Sequence, residues 1–322
     1  MIIPYQKFEF LLEAIEPIRV PPYKGSTLRG GFGNVFRRVV CVIKRNECDE
    51  CLLKERCIYA YIFETYPQHD AGIMNMSKYE KIPHPFIIEP PDDRDTIYEE
   101  GRIFSFYLTL IGNATSYLPY FIYTFIEMGK TGIGKFNNGN RGRFELLAVK
   151  SENNIVYSSN TNSIKITTVP STVEISEEFN FSGETSSNSG QSITLEFLTP
   201  VRLSFQRDLV VVPEFHIVIR SILRRLSLLY YFHAEKRLPT WNHREIIEKA
   251  HSIEIKDNKL KWHDWERYSS RQNIRMKLGG LMGNITYSGN IYPFMQFLKA
   301  GEIFHIGKGT SFGLGKYRIS DF

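Results

Sequence analysis

One pattern occurs twice in this chain, and it limits the possible folds more than any other feature. The first copy opens FEFLLEAIEPIRVPPYKGSTLRGGFGNVFRRVV and the second ITLEFLTPVRLSFQRDLVVVPEFHIVIRSILRRLSLL. Each begins with alternating apolar residues and reaches a Pro-apolar-Arg-apolar step, Pro17-Ile18-Arg19-Val20 and Pro200-Val201-Arg202-Leu203. Each then passes a loop and enters an amphipathic helix with paired arginines, Arg37-Arg38 and Arg224-Arg225. The endings correspond too: GKTGIGKFNNGNRGRFELLAV closes the first copy and GKGTSFGLGKYRISDF the second, with Ile133-Gly134-Lys135 and Ile306-Gly307-Lys308 in equivalent places. Self-similarity of this kind predicts two related domains in one chain.

Length agrees, since 322 residues suit two domains. A hydrophobic share of 42% gives each half enough apolar surface for its own core. Within each copy the pattern predicts strand, helix, strands, helix, Gly-rich turn, strand. Residues 104–112 alternate as a strand. Residues 117–129 read as a helix stopped by Gly129. After Pro213, Phe215, Ile219, Ile222, Leu226 and Leu229 recur at helical spacing. This order suits a βαββαβ ferredoxin-like unit. The expected fold class is therefore α+β, with two ferredoxin-like (RRM-like) halves over 1–162 and 193–322. Residues 163–192 between them read as a linker with peripheral strands, and the Ser/Asn/Gly-rich run 183–192 as its loop tip.

A net charge of +5 fits a polyanion partner without requiring one. The chain has no apolar run of about 18 residues, so no membrane span is expected. Its N-terminus lacks the features of a signal peptide, so the expected location is the cytoplasm. All four cysteines, Cys41, Cys48, Cys51 and Cys57, fall in one short window. A disulfide framework would scatter them. Their spacing, with a central CxxC, predicts an inserted tetrahedral four-cysteine site for a structural zinc, with an iron–sulfur cluster as the rival. Four thiolate ligands leave no open position for catalysis.

The C-terminal run GKGTSFGLGKYRI gathers Gly307, Gly309, Gly313 and Gly315 around Lys308, Phe312 and Lys316. Glycines allow close backbone approach to a phosphate, lysines supply charge, and an aromatic can stack on a base. The run is neither a Walker A loop nor a dinucleotide fingerprint. It reads as an RNA-contacting loop or as a plain glycine-rich hairpin. His216, Arg220 and Arg224 follow at i, i+4 and i+8 and share a helix face. A histidine beside arginines suits proton transfer next to a clamped phosphate. His233 closes the same helical stretch.

Three segments together, LRGGFGNVFRRVVCVIKRNECDECLLKERCIYAYIFE, WHDWERYSSRQNIRMKLGGLMGNITYSG and the terminal GKGTSFGLGKYRI, resemble the CRISPR repeat-processing endoribonucleases of the RAMP superfamily. The resemblance covers nearly the whole chain and is weakest over 150–192. It implies a tandem ferredoxin-like enzyme that binds CRISPR repeat RNA and cuts it once without a catalytic metal. The 2′-hydroxyl would attack the scissile phosphate and leave a 2′,3′-cyclic phosphate. Many members of the family place a general-base histidine on or near the first helix of the first half, but residues 25–45 contain no histidine. The general base is therefore open among His216, His233, Tyr268 and Lys277. Expected RNA contacts are Lys24, Arg29, Arg37 and Arg38 in the first half. In the second half they are Arg220, Arg224, Arg267, Arg271, Gln272 and Arg275, with Gly307, Lys308, Gly309, Phe312, Gly313, Gly315 and Lys316 of the loop. The missing histidine also leaves open a non-catalytic RAMP subunit of a CRISPR ribonucleoprotein complex. A zinc-stabilised DNA-binding regulator is the third reading, but no major-groove reading element stands out.

Overall fold

The computed structural model describes residues 1–44, 48–65, 82–137, 139–165, 169–178, 191–269 and 274–320, with the backbone alone described at 137, 266–269 and 274–277. The chain forms a mixed α+β structure with antiparallel sheets. It divides into two units, Pro4–Thr172 with Phe232–Ala234, and Met1–Ile3 with Val173–Tyr231 and Glu235–Phe322.

In the N-terminal unit, alternation along the strand Ile2–Ala14 puts Phe8, Phe10 and Leu12 on one buried face. This strand lies between Ile103–Ile111 and Phe144–Ser151, with Phe10 opposite Phe106 on one side and Val149 on the other. Phe86–Glu89 pairs outside Ile103–Ile111, while Asn154–Ser158 and Ser163–Ile164 extend the opposite edge. Of the four principal strands in chain order, the spatial order is therefore fourth, first, third, second. Helices α1 (Gly25–Val40) and α2 (Leu118–Thr131) follow the first and third of these strands and pack on each other. An aromatic cluster holds them: the Phe32 ring lies 4.9 Å from Phe36, 4.8 Å from Phe121 and 5.4 Å from Phe125. The expected stop of α2 at Gly129 is corrected. The helix runs on to Thr131, and Gly132, at φ 74°, ends it. Gly129 serves packing instead, since a Cβ there would lie 2.2 Å from the Phe144 carbonyl oxygen.

The C-terminal unit repeats the plan. Its principal strands are Ser192–Val201, Glu254–Asn258, Gly280–Ser288 and Tyr317–Ser320. They lie in the order second, third, first, fourth, which is the same arrangement read from the other edge. Leu195 pairs with Ile285 on one neighbour and with Ile319 on the other. Helix α3 (Phe215–Tyr230) buries Phe215, Ile219, Ile222, Leu226 and Leu229, as the spacing predicts. Helices α4 (His243–Ala250) and α5 (Met295–Phe304) both pack on α3. Asn242 caps α4 by accepting the Glu245 N–H.

The duplicated sequence steps meet in the same way in both units. A Cβ on Gly134 would lie 2.1 Å from the Arg19 carbonyl oxygen, and one on Gly307 would lie 2.5 Å from that of Arg202. Each glycine has positive φ, so only glycine lets the turn close on the Pro-apolar-Arg step. Strands occur at Ser163–Ile164 and Ser171–Glu174 within the expected linker, while 183–190 lie outside the described residues. The chain's N-terminus joins the C-terminal unit: the Met1 ammonium donates to the Ile175 carbonyl at 2.9 Å and pairs with Glu177 at 3.0 Å. Among the described residues, no helix is long and apolar enough to cross a membrane.

Candidate functional site

The most chemically loaded group of side chains gathers at the start of α3. Glu214 is its N-cap, and His216 lies one residue into the helix with only 4% of its surface exposed. The helical period brings Arg220 to the same face, and its Nε donates to His216 Nδ1 at 3.3 Å. Nδ1 therefore carries the lone pair, so Nε2 carries the proton and donates it to the Glu214 carboxylate at 3.0 Å. The His251 ring, from the end of α4, stacks on His216 at 3.8 Å. Phe205 meets the His216 ring edge-on at 5.4 Å, and the Arg220 guanidinium also lies 5.4 Å from the Phe205 ring. Burial is the main cause that holds His216 below the ordinary histidine value, and the neighbouring His251 adds to it against the pull of Glu214. A neutral imidazole with an oriented proton is the state in which histidine accepts a proton.

Glu214, His216 and His251 bring one ligand atom each within 4.8 Å of one another, close enough to hold a divalent cation. The Arg220 guanidinium against His216 opposes a cation there. The four cysteine thiols do not gather that tightly. Cys41 ends α1, the Cys51 N–H closes a turn onto the Cys48 carbonyl at 3.3 Å, and Cys48 and Cys57 pack against the core of the N-terminal unit.

His233 has a different setting. It is fully buried, Nε2 donates to the Pro83 carbonyl at 2.8 Å, and Nδ1 lies 3.3 Å from the Tyr61 hydroxyl. Both nitrogens are engaged inside the N-terminal unit. Lys24, expected among the RNA contacts, is buried as well. It is 2% exposed, and its ammonium is held by Asp93 Oδ1 at 2.9 Å and by the Asp93 and Pro22 carbonyls. Arg29 is half-buried against His84 and the Phe63 ring, and Arg37 lies over Tyr59. Arg38 is exposed, and Arg224 is half-buried on α3.

The backbone of Tyr268 pairs with Arg275, of Arg267 with Met276 and of Lys277 with Glu266, in a two-stranded ladder. Arg271 and Gln272 lie outside the described residues. In the terminal loop, Gly307, Gly309, Gly313 and Gly315 all have positive φ. Its N–H groups are committed internally: Gly307 to Ser221 Oγ, Lys308 to the Arg202 carbonyl, Phe312 to Gly309, Gly313 to Thr310 and Gly315 to Pro200. The glycines thus let the chain approach itself closely, as at Gly307 against the Arg202 carbonyl and Gly315 against that of Ile306. Lys308 is the exposed cation the loop presents, while Phe312 and Lys316 are half-buried.

His251 is the residue the sequence did not single out. It lies far along the chain from His216, with no shared motif, and the packing of α4 on α3 unites the two.

Residues 195–317 match the model described as CRISPR-associated endoribonuclease Cas6, and residues 3–169, about half of the chain, match a model described as an N-terminal domain (AF_1859_N). An uncharacterized protein of Archaeoglobus fulgidus is 24% identical over 311 residues, covering 93% of this chain and 92% of that one. A solved Cas6 product complex aligns with TM-score 0.50 and 16% identity over 98% of this chain and 100% of that one. Thermus thermophilus Cas6 aligns with TM-score 0.50 and 14% identity over 99% of both chains. A partial Cas6-RT-Cas1–Cas2 complex aligns with TM-score 0.53 and 14% identity over 99% of this chain and 46% of that one.

Proposed function

We propose that this chain binds CRISPR repeat RNA and cuts it by metal-independent attack of a 2′-hydroxyl, giving a 2′,3′-cyclic phosphate and a 5′-hydroxyl. The observation that carries the proposal is the Glu214–His216–Arg220 group with His251 stacked upon it. When a phosphate takes the Arg220 guanidinium, His216 Nδ1 is released as a base. Nδ1 then accepts the 2′-hydroxyl proton, the 2′-oxygen bonds to phosphorus, and the bond to the 5′-oxygen breaks. Glu214 holds the Nε2 proton and stabilises the imidazolium, as a carboxylate does behind a catalytic histidine. We assign the proton for the 5′-oxygen to the exposed His251. The matching strand orders of the two units support a tandem ferredoxin-like arrangement. Lys308, Arg224 and the ladder residues Arg267 and Arg275 remain in this reading as RNA contacts, and a CRISPR effector complex as a further partner.

The cysteine window, in this reading, takes a structural zinc. Cys41, Cys48, Cys51 and Cys57 would hold it, and an iron–sulfur cluster is the alternative that the same donors suit. The metal would order the loop between α1 and the core.

A second reading, a non-catalytic RNA-holding subunit, is favoured by the absence of histidine from α1. Single-turnover cleavage of a labelled repeat RNA separates the two. The proposal expects cutting by the wild type and a loss of at least about 100-fold in His216→Gln, the usual scale for a lost general base, with binding retained. Tight binding with no cutting by the wild type would leave the RNA-holding reading.

A further inference from the structure

We infer that a pocket in the N-terminal unit binds one nucleotide of the RNA, with its phosphate on Arg38 and Arg141 and its base against Phe136. The inference rests on the RNA-binding reading above. A cavity of about 280 Å³ opens between α1, the end of α2 and the hairpin formed by Ile133–Asn137 and Asn140–Gly142. That is close to the lower end of small-ligand sites, roughly 300–1,000 Å³, and suits a single nucleotide.

The lining selects the ligand class. Arg38 and Arg141 supply two guanidinium groups, and Asn34 and Asn140 supply amides that can both donate and accept. Among the described residues no carboxylate lines the cavity, so its field has one sign. The Arg141 guanidinium lies 4.6 Å from the Phe136 ring, and its Nε is buried without a hydrogen-bond partner among the described residues. A buried donor with no acceptor is costly until one arrives, and a phosphate oxygen is the acceptor a guanidinium matches best. Phe136 is 67% exposed at the same place. A flat ring facing water beside two cations is a stacking platform for a base. An acidic peptide would satisfy the charges and leave the ring uncovered, so the geometry favours a nucleotide.

The test uses the full chain and a repeat RNA carrying 4-thiouridine. Ultraviolet crosslinking followed by mass spectrometry is expected to put adducts on the 133–142 hairpin. Fluorescence anisotropy is expected to show Phe136→Ala and Arg38→Ala each binding roughly tenfold more weakly, the scale of one lost stacking or phosphate contact. Arg38→Ala should also flatten the dependence of log affinity on log salt by about 0.7, one phosphate contact on a single strand. Both side chains are exposed, so thermal melts should match the wild type and separate a lost contact from a lost fold. Wild-type binding with unaffected variants and adducts elsewhere would remove the pocket and leave the RNA-binding reading standing. Failure of the wild type to bind any RNA would remove that reading and the pocket with it.

Discussion

His216 and His233 carry the same side chain into opposite settings. His216 is buried at the start of α3, its proton directed by Glu214 and its lone pair turned toward Arg220. If it is the base, the rate should rise with pH through a value below the ordinary 6.5, because burial and His251 both hold it down. His216→Gln should remove that acid limb from the pH–rate profile, and an unchanged limb would exclude His216. His233→Ala should act on stability instead. It leaves the Pro83 carbonyl without its donor and opens space in the core, a loss of about 2–4 kcal/mol in urea denaturation. The depressed values have a stability consequence as well. His216 and His243 both titrate below the ordinary value, with burial the first cause. A group of this kind contributes stability that is present above its unfolded value and is lost as pH falls toward its folded value. The Tm should therefore drop as pH is lowered from about 7 to about 5, and a flat Tm across that window would contradict the assignment.

At the scale of elements, stacked rings join α1 and α2. Phe32→Ala removes the ring shared by Phe36, Phe121 and Phe125 and should cost about 3–5 kcal/mol, read as a lower urea midpoint. The loop after α1 makes its own prediction. Metal analysis of the purified protein should find about one zinc per chain, lost in Cys48→Ser with a lower Tm. A metal-free wild type would remove the site. Much of this level was legible in the sequence, since helical spacing gave α3 and alternation gave the strands Ile2–Ala14 and Ile103–Ile111. What the sequence hid has physical causes. Gly129 reads as a stop until its packing against Phe144 is seen, and it is Gly132 that ends α2. Lys24 reads as a surface cation until Asp93 folds over it. The partners of the terminal loop's N–H groups at Gly307, Lys308 and Gly315 are Ser221, Arg202 and Pro200, which come from elsewhere in the chain. His251 carried no signal at all, because only the packing of α4 on α3 joins it to His216.

At the scale of the whole molecule, one unit appears twice, and the two copies have diverged in their chemistry. The N-terminal copy has no histidine on its first helix, and the C-terminal copy has His216 at the start of its own. The account therefore places proton transfer in the C-terminal unit. The most direct test is cleavage of the cognate repeat RNA in excess EDTA, beside the same RNA with a 2′-deoxy nucleotide at the cut site. The account predicts cutting of the first, with a cyclic phosphate end, and none of the second. Cutting that stops in EDTA, or that persists without the 2′-hydroxyl, would contradict it.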